Sequence, residues 1–539
     1  MTVTKITATK ETIVLTLDAA VRGAAAVTAR VPLVCGDKAK KAAFEDGRAV
    51  AQHSCVLQDS AEIVLPRFEG AYDLLTCRFV LTVDGSAVPG VCYVTDFSDD
   101  FAVINTPYPT VERPIGTWCN ALEEDVDGMR FGYMMNELDM IWLLKRQPED
   151  GDHVHVFNGE EYYFDKEIIA ENDRMMAPLA AKGIPCLIRF INRVKYRLRK
   201  ADHVLFDMIK HPDYEDDFEG VEMSAINLRT ETGFRYYCAC IDFLFSRYCD
   251  PANGFGWNLM MDVGNEINSA RIWNNAGPMC CEDYIEEYTE ALRLAWQLSH
   301  KYYAHYRVNG SLEQYFADSF IQDGRYYYPA RDCLENILRY CRRDGNFDWG
   351  VAAHPYPENL NYPDFYNDRG VSFDFDTPKI TLKNMEVWPA LLSSPAFLYR
   401  GQPRHVIFDE QGFNTRADAP YTEEQGAYAF VLAWLKMRKQ PAIDLLLIHR
   451  YIDIPFNEEY GLNLGLRRCY GYADEEHLIT IPGPHKMICR AIAAMDSPEE
   501  DAWVRAARAY IGPDLFDDVL NPPAVTEGRT TRYITNFEI

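Results

Sequence analysis

The sequence predicts an α/β protein: a closed (β/α)8 TIM barrel with an N-terminal β-sandwich-like domain. Three observations predict it. From about residue 100 onward, apolar runs alternate with longer amphipathic segments, the pattern of repeated strand–helix units. Eight such runs can be counted, the number that closes a parallel barrel of this type. Before that point the chain reads as β-structure alone, with no helical period between its apolar runs.

Residues 1–98 hold β-branched or alternating stretches at 12–17 and 78–83, the second followed by an Asp84-Gly85 turn. They are expected to form the accessory domain. The barrel is expected over 99–495, with strands at 115–119, 131–135, 185–191, 258–263, 306–311, 349–353, 405–408 and 443–448. Intervening helices are legible. The segment 282–298 places Ile285, Tyr288, Leu292 and Ala295 on one stripe. Another, 423–437, follows Thr422, a candidate N-cap with acidic residues behind it. After the second strand, 153–164 reads as a hairpin around Asn158-Gly159. Residues 496–539 hold a helix at 501–510 and a strand at 530–535, expected to pack on the N-terminal domain.

Composition narrows the function classes. The 539 residues are 48% hydrophobic and 25% charged, ordinary for a globular enzyme. A formal net charge of −27 repels phosphate backbones, so no nucleic acid partner is expected. It also disfavours polyanionic glycans, unless a local basic pocket overrides it. The start, Met1-Thr2-Val3-Thr4-Lys5-Ile6, has no apolar export region, and no window approaches the ~18 apolar residues of a membrane span. A cytoplasmic location and no membrane partner are expected. The 15 cysteines form no C-x-x-C pair, which fits reduced, mostly buried thiols. Oligomeric state leaves no mark on the sequence.

Chemistry collects at the strand ends, where a barrel of this kind carries its active site. The fourth apolar run stops at Gly264-Asn265-Glu266, and the seventh runs through Asp409 into Glu410-Gln411-Gly412. Other polar residues fall at the same level. They are Asn136 and Glu137 at strand two, Asn192 at three, Asn268 beyond four, Glu313 and Gln314 at five, His354 and Tyr356 at six, Asn414 beyond seven, and His449 and Arg450 at eight. Amides and hydroxyls in such number suit a carbohydrate substrate, and a carboxylate pair is what glycoside hydrolysis needs. Among Trp118, Trp257, Trp273 and Trp388, Trp273 just beyond the Glu266 loop is the expected stacking platform. His153-x-His155 could in principle hold a metal, but it sits on the hairpin rather than at a strand end. No metal and no cofactor are expected.

Gly264-Asn265-Glu266 and Asp409-Glu410-Gln411-Gly412, with His354-Pro355-Tyr356, resemble the retaining (β/α)8 glycoside hydrolases of clan A. More narrowly, Asn227-Leu228-Arg229-Thr230, the 264–268 stretch and Gly461-Leu462-Asn463-Leu464-Gly465-Leu466 are similar to an uncharacterised bacterial family of that clan. The resemblance spans about residues 100–490. It implies Glu266 as general acid/base and Glu410 as nucleophile. Asn265 would then bond the sugar 2-hydroxyl, and Tyr356 or His354 would orient Glu410. Two departures stand out. His449-Arg450-Tyr451 replaces the Trp common at the end of strand eight, and Asn136-Glu137 stands where many members carry an Arg near the end of strand two. The expected activity is hydrolysis of a β-configured O-glycosidic bond in a neutral oligosaccharide or glycoside. Rival readings are a non-catalytic carbohydrate-binding barrel and a metal-dependent hydrolase.

Overall fold

The structure is a computed structural model that describes residues 1–528 except 42, 45, 194–201, 216–219, 456–460 and 475–478. The strand expected at 530–535 lies outside the described residues. Eight parallel strands close the barrel: Ile115–Trp118, Tyr133–Asp139, Cys186–Ile191, Asn258–Val263, Arg307–Glu313, Gly350–His354, Val406–Gln411 and Ile443–Ile448. All eight expected runs are strands. Strands two, five and seven reach further than expected, to Asp139, Glu313 and Gln411. Polar residues end an apolar run, but they leave the backbone ladder intact.

Alternation along each strand sorts the side chains. One face buries Tyr133, Met135, Leu187, Met260, Ala352, Ile407, Leu445 and Leu447 inside the barrel. Two residues further along the same faces come Arg189, Asp262 and Asp409, all buried. A polar layer therefore sits on an apolar floor, toward the C-terminal mouth. The opposite faces pack on surrounding helices, including Lys166–Ala181, Glu231–Tyr248, Cys281–Ser299, Ala330–Asp344 and Tyr421–Arg438. The last of these starts earlier than expected. Its N-cap is Pro420, and Thr422 lies inside the first turn, where its hydroxyl donates to the Ala419 carbonyl.

In the N-terminal region, the long strands Thr12–Arg30 and Ala49–Pro66 pair along most of their length. Val3–Ala8 adds to the first part of Thr12–Arg30 and Arg78–Val83 to its last part. Both halves share one core, with Ile6, Leu15 and Ile63 joined by Val27, Phe79 and Leu81. The hairpin His153–Phe157 and Glu160–Phe164 turns at Asn158 (φ 51°) and Gly159 (φ 81°), two consecutive left-handed positions as a two-residue turn requires. Helices Glu500–Ile511 and Pro513–Leu520 pack on Tyr421–Arg438. Every cysteine is free. No helix among the described residues is long and apolar enough to cross a membrane.

Candidate active site

Glu410 stands where strand seven loses its regular register with strand eight. A bulge re-aims side chains, and here two successive acids reach the same cation. The Arg189 guanidinium donates to both Asp409 and Glu410. Tyr356 adds an O–H···O bond to Glu410 Oε1 at 2.9 Å. Burial works against ionising Glu410, but the surrounding cationic groups outweigh it and hold the carboxyl well below the usual carboxylate range. His449 Nδ1 is 3.9 Å from Glu410 Oε2, yet burial pushes the His449 imidazole down to about 3. At neutral pH the stabilising charge therefore comes from Arg189 and His354.

Glu266 is placed by the turn after strand four. Gly264 takes φ 79° and Glu266 itself φ 38°, a left-handed conformation that a non-glycine residue adopts at a cost of about 1–3 kcal/mol. The Ser311 hydroxyl accepts from the Glu266 amide at 3.0 Å, and the Ser311 carbonyl accepts from the Ile267 amide. Strand five thus holds the turn at two points. The Glu266 carboxylate meets His354 Nδ1 at 2.8 Å, and His354 Nε2 is 3.4 Å from Asp409. Burial opposes charge on His354, but Asp409, Glu410 and Glu266 together push it up to about 10. The imidazolium then donates Nδ1–H to Glu266. Beneath the site, burial and the nearby Asp409 raise the Asp262 carboxyl. Glu313 is pushed up to about 8 by burial, with Glu266 adding repulsion.

One oxygen of Glu266, one of Glu410 and a His354 ring nitrogen lie within 4.8 Å of one another. Among the described residues this is the one cluster close enough to hold a metal ion. Its surroundings oppose that use. His354 is protonated at neutral pH, and Glu410 is already engaged by Arg189 and Tyr356. On the hairpin, His155 pairs with Asp242 at 3.0 Å, and His153 lies against Phe243.

The expected binding residues divide sharply. Asn192 (both amide atoms), Asn265 Oδ1, Gln314 Oε1 and His449 Nδ1 are buried at strand ends without a hydrogen-bond partner among the described residues. Such groups ordinarily find partners, so the hydrogen-bonding capacity of these atoms is unspent within the described residues. Asn136 does not face the mouth. Alternation turns it outward, where its amide donates to Asn172 on helix Lys166–Ala181 at 2.7 Å. Asn414 is equally committed. It donates to the carbonyls of Asn361 and Gly461 and accepts from the Asn463 amide. Asn268 exchanges two bonds with Glu313. Trp273 is partly buried on the short helix Ala270–Trp273. A second tryptophan, Trp118, has its ring 5.5 Å from the His449 ring and 5.5 Å from the Arg450 guanidinium.

Residues 115–519 match DUF5722, described as a family of unknown function. The chain belongs to DUF5722. No curated protein matches it. Among solved structures it is similar to a family 39 glycoside hydrolase from Bacteroides cellulosilyticus WH2, at 15% identity and TM-score 0.43, over 93% of this chain and 83% of that one. A glucosidase from Croceicoccus marinus matches at 11% identity and TM-score 0.41, over 72% and 68%. A β-galactosidase from Halorubrum lacusprofundi matches at 14% and 0.41, over 75% and 63%. Likenesses this distant concern the fold, so the chemistry rests on the site itself.

Within this DUF5722 chain, two of the sequence motifs turn out to be structural. Asn227 caps its own turn by accepting from the Arg229 and Thr230 amides, while Thr230 caps helix Glu231–Tyr248. Gly461 and Asn463 are the partners of Asn414. Sequence reasoning missed Arg189 because it looked for an arginine near the end of strand two. The signal was present: a single charge inside the apolar run Leu187-Ile188-Arg189-Phe190-Ile191.

Proposed function

We propose that this protein is a retaining glycoside hydrolase that cleaves a β-configured O-glycosidic bond. One observation carries the reading: the Glu266 and Glu410 oxygens approach within 4.8 Å in the mouth of a (β/α)8 barrel. A retaining pair stands about 5–5.5 Å apart, whereas an inverting pair needs ~6.5–9.5 Å to admit a water. The electrostatics support the division of roles. Glu410, ionised and fixed by Arg189 and Tyr356, attacks the anomeric carbon as the bond to the leaving oxygen breaks. Glu266, entering the cycle as the carboxylic acid with its other oxygen accepting from His354, gives its proton to that leaving oxygen and is left as a carboxylate. Water then hydrolyses the glycosyl ester, giving its proton to Glu266 and releasing Glu410. The unpartnered Oδ1 of Asn265 is suited to accept from the sugar 2-hydroxyl. In this reading residues 99–495 are the catalytic part and residues 1–98 an accessory domain.

The test is hydrolysis of aryl α- and β-glycosides by wild type, Glu266→Ala and Glu410→Ala. Azide should rescue Glu410→Ala, giving a glycosyl azide of anomeric configuration opposite to the substrate. Wild-type turnover in both variants would end the proposal. Sugar binding without turnover in the wild type would point to a non-catalytic barrel instead.

A further inference from the structure

We propose that Arg450 binds an anionic substituent, a uronate carboxylate or a sulfate ester, on the sugar held between Glu266 and Glu410. This rests on the glycosidase reading above and names the substrate class for that site.

Among the described residues, Arg189, Arg193 and Arg450 stand at the ends of barrel strands, and the first two have their countercharges. Arg189 donates to Asp409 and Glu410. Arg193 pairs with Glu137 and with Asp139, the latter at 3.1 Å. Arg450 has no carboxylate partner among the described residues; its contact is the Trp118 ring, 5.5 Å from the guanidinium carbon. The acids nearest in charge, Glu137 and Glu410, are already held by Arg193 and Arg189. Burial lowers the Arg450 pKa, yet a guanidinium stays ionised in proteins. A partly buried cation without a counterion is destabilising, and the missing counterion belongs to whatever fills the mouth.

Placement supports the same reading. Arg450 directly follows His449, whose Nδ1 is 3.9 Å from Glu410 Oε2. The charges of Glu137 and Glu410 both act on its guanidinium. Its backbone carbonyl accepts from the Leu466 amide at 2.9 Å, which anchors the residue. The residue is only partly buried. A planar guanidinium offers parallel N–H groups that match the oxygens of a carboxylate or a sulfate. A neutral hydroxymethyl group would instead displace water from the cation and leave the charge unpaired. The net charge of −27 repels long polyanions, so the site is suited to short acidic glycosides.

The experiment compares 4-nitrophenyl glucoside and galactoside with the matching uronides and 6-sulfates. Wild type and Arg450→Gln are assayed, with calorimetric binding of the free sugars and free uronates alongside. The wild type should favour one anionic series over its neutral parent by about tenfold or more in kcat/KM, and Arg450→Gln should cut that ratio by at least about tenfold. Which series wins distinguishes carboxylate from sulfate. Arg450→Lys should recover part of the preference. Should the variant fail to fold, the wild-type ratio and binding still decide the matter. Equal or better use of neutral glycosides by the wild type overturns the inference and leaves the hydrolase reading standing. Uronate binding that depends on Arg450, without any turnover, sinks the hydrolase reading and keeps the anion site.

Discussion

The ends of strands four and seven each present a carboxylate, yet the two are held in different ways. Glu410 sits in a bulged strand, bonded to a guanidinium and a phenol, with its charge stabilised. Glu266 sits in a left-handed turn outside its strand, with one imidazole as its partner. The first arrangement suits a fixed, ionised nucleophile. The second suits a group that exchanges a proton. Two acids of the same type, within 4.8 Å of each other, thus have different surroundings, which in the proposed mechanism give them different duties.

The predictions test that contrast, from the largest effect downward. Glu410→Ala should lower kcat by on the order of 10^4-fold or more on every glycoside, since no other group can form the ester. Glu266→Ala should lose ~10^2–10^4-fold with poor leaving groups and far less with activated aryl ones. A leaving-group series reads the difference. Equal losses for both variants across the series would erase the contrast.

Arg189→Met should cost about 3–5 kcal/mol of stability, because Asp409 and Glu410 lose their buried countercharge. It should also shift the pH profile. Arg189 helps depress the Glu410 carboxyl, so its removal raises that pKa, and the acid limb of kcat/KM should move to higher pH. Arg189→Lys should restore part of this. An unmoved acid limb would remove Arg189 from the account of Glu410.

Tyr356→Phe deletes one hydrogen bond to a charged oxygen. That is worth about 1.5–3 kcal/mol, so a drop of about 10–100-fold in kcat/KM is expected, with Glu266-dependent leaving-group effects unchanged.

The smallest effect concerns Glu313, on strand five near Glu266. Its folded pKa of about 8 lies above its ordinary value. The associated stability is therefore fully present below the ordinary glutamate range and is lost as pH rises through about 8. Thermal unfolding of wild type should show Tm falling between pH 5 and 9. Glu313→Gln should flatten that fall, even if it lowers Tm by a constant amount through its altered bonds to Asn268 and Tyr315.

The barrel was legible because each apolar run ends in turn chemistry and is followed by a helical stripe, and all eight runs became strands. Glu266 and Glu410 were legible for the same reason: a carboxylate closing an apolar run is conspicuous. The amides were not. Asn136, Asn414 and Asn265 look alike in a sequence, yet the first two spend their bonds on the fold while the third has an oxygen without a partner among the described residues. Thr422 shows the same limit at a helix start, where Pro420 takes the capping position.

By itself, the sequence determined the strand count, the order of units and the two acids, because period and punctuation are local properties of the chain. Only the tertiary structure decided which side chains face the mouth, that Arg189 from strand three serves Glu410 from strand seven, and that Arg450 meets no acid among the described residues. Pleat parity and a register shift set those directions, and charge pairing depends on distances between residues far apart in the chain.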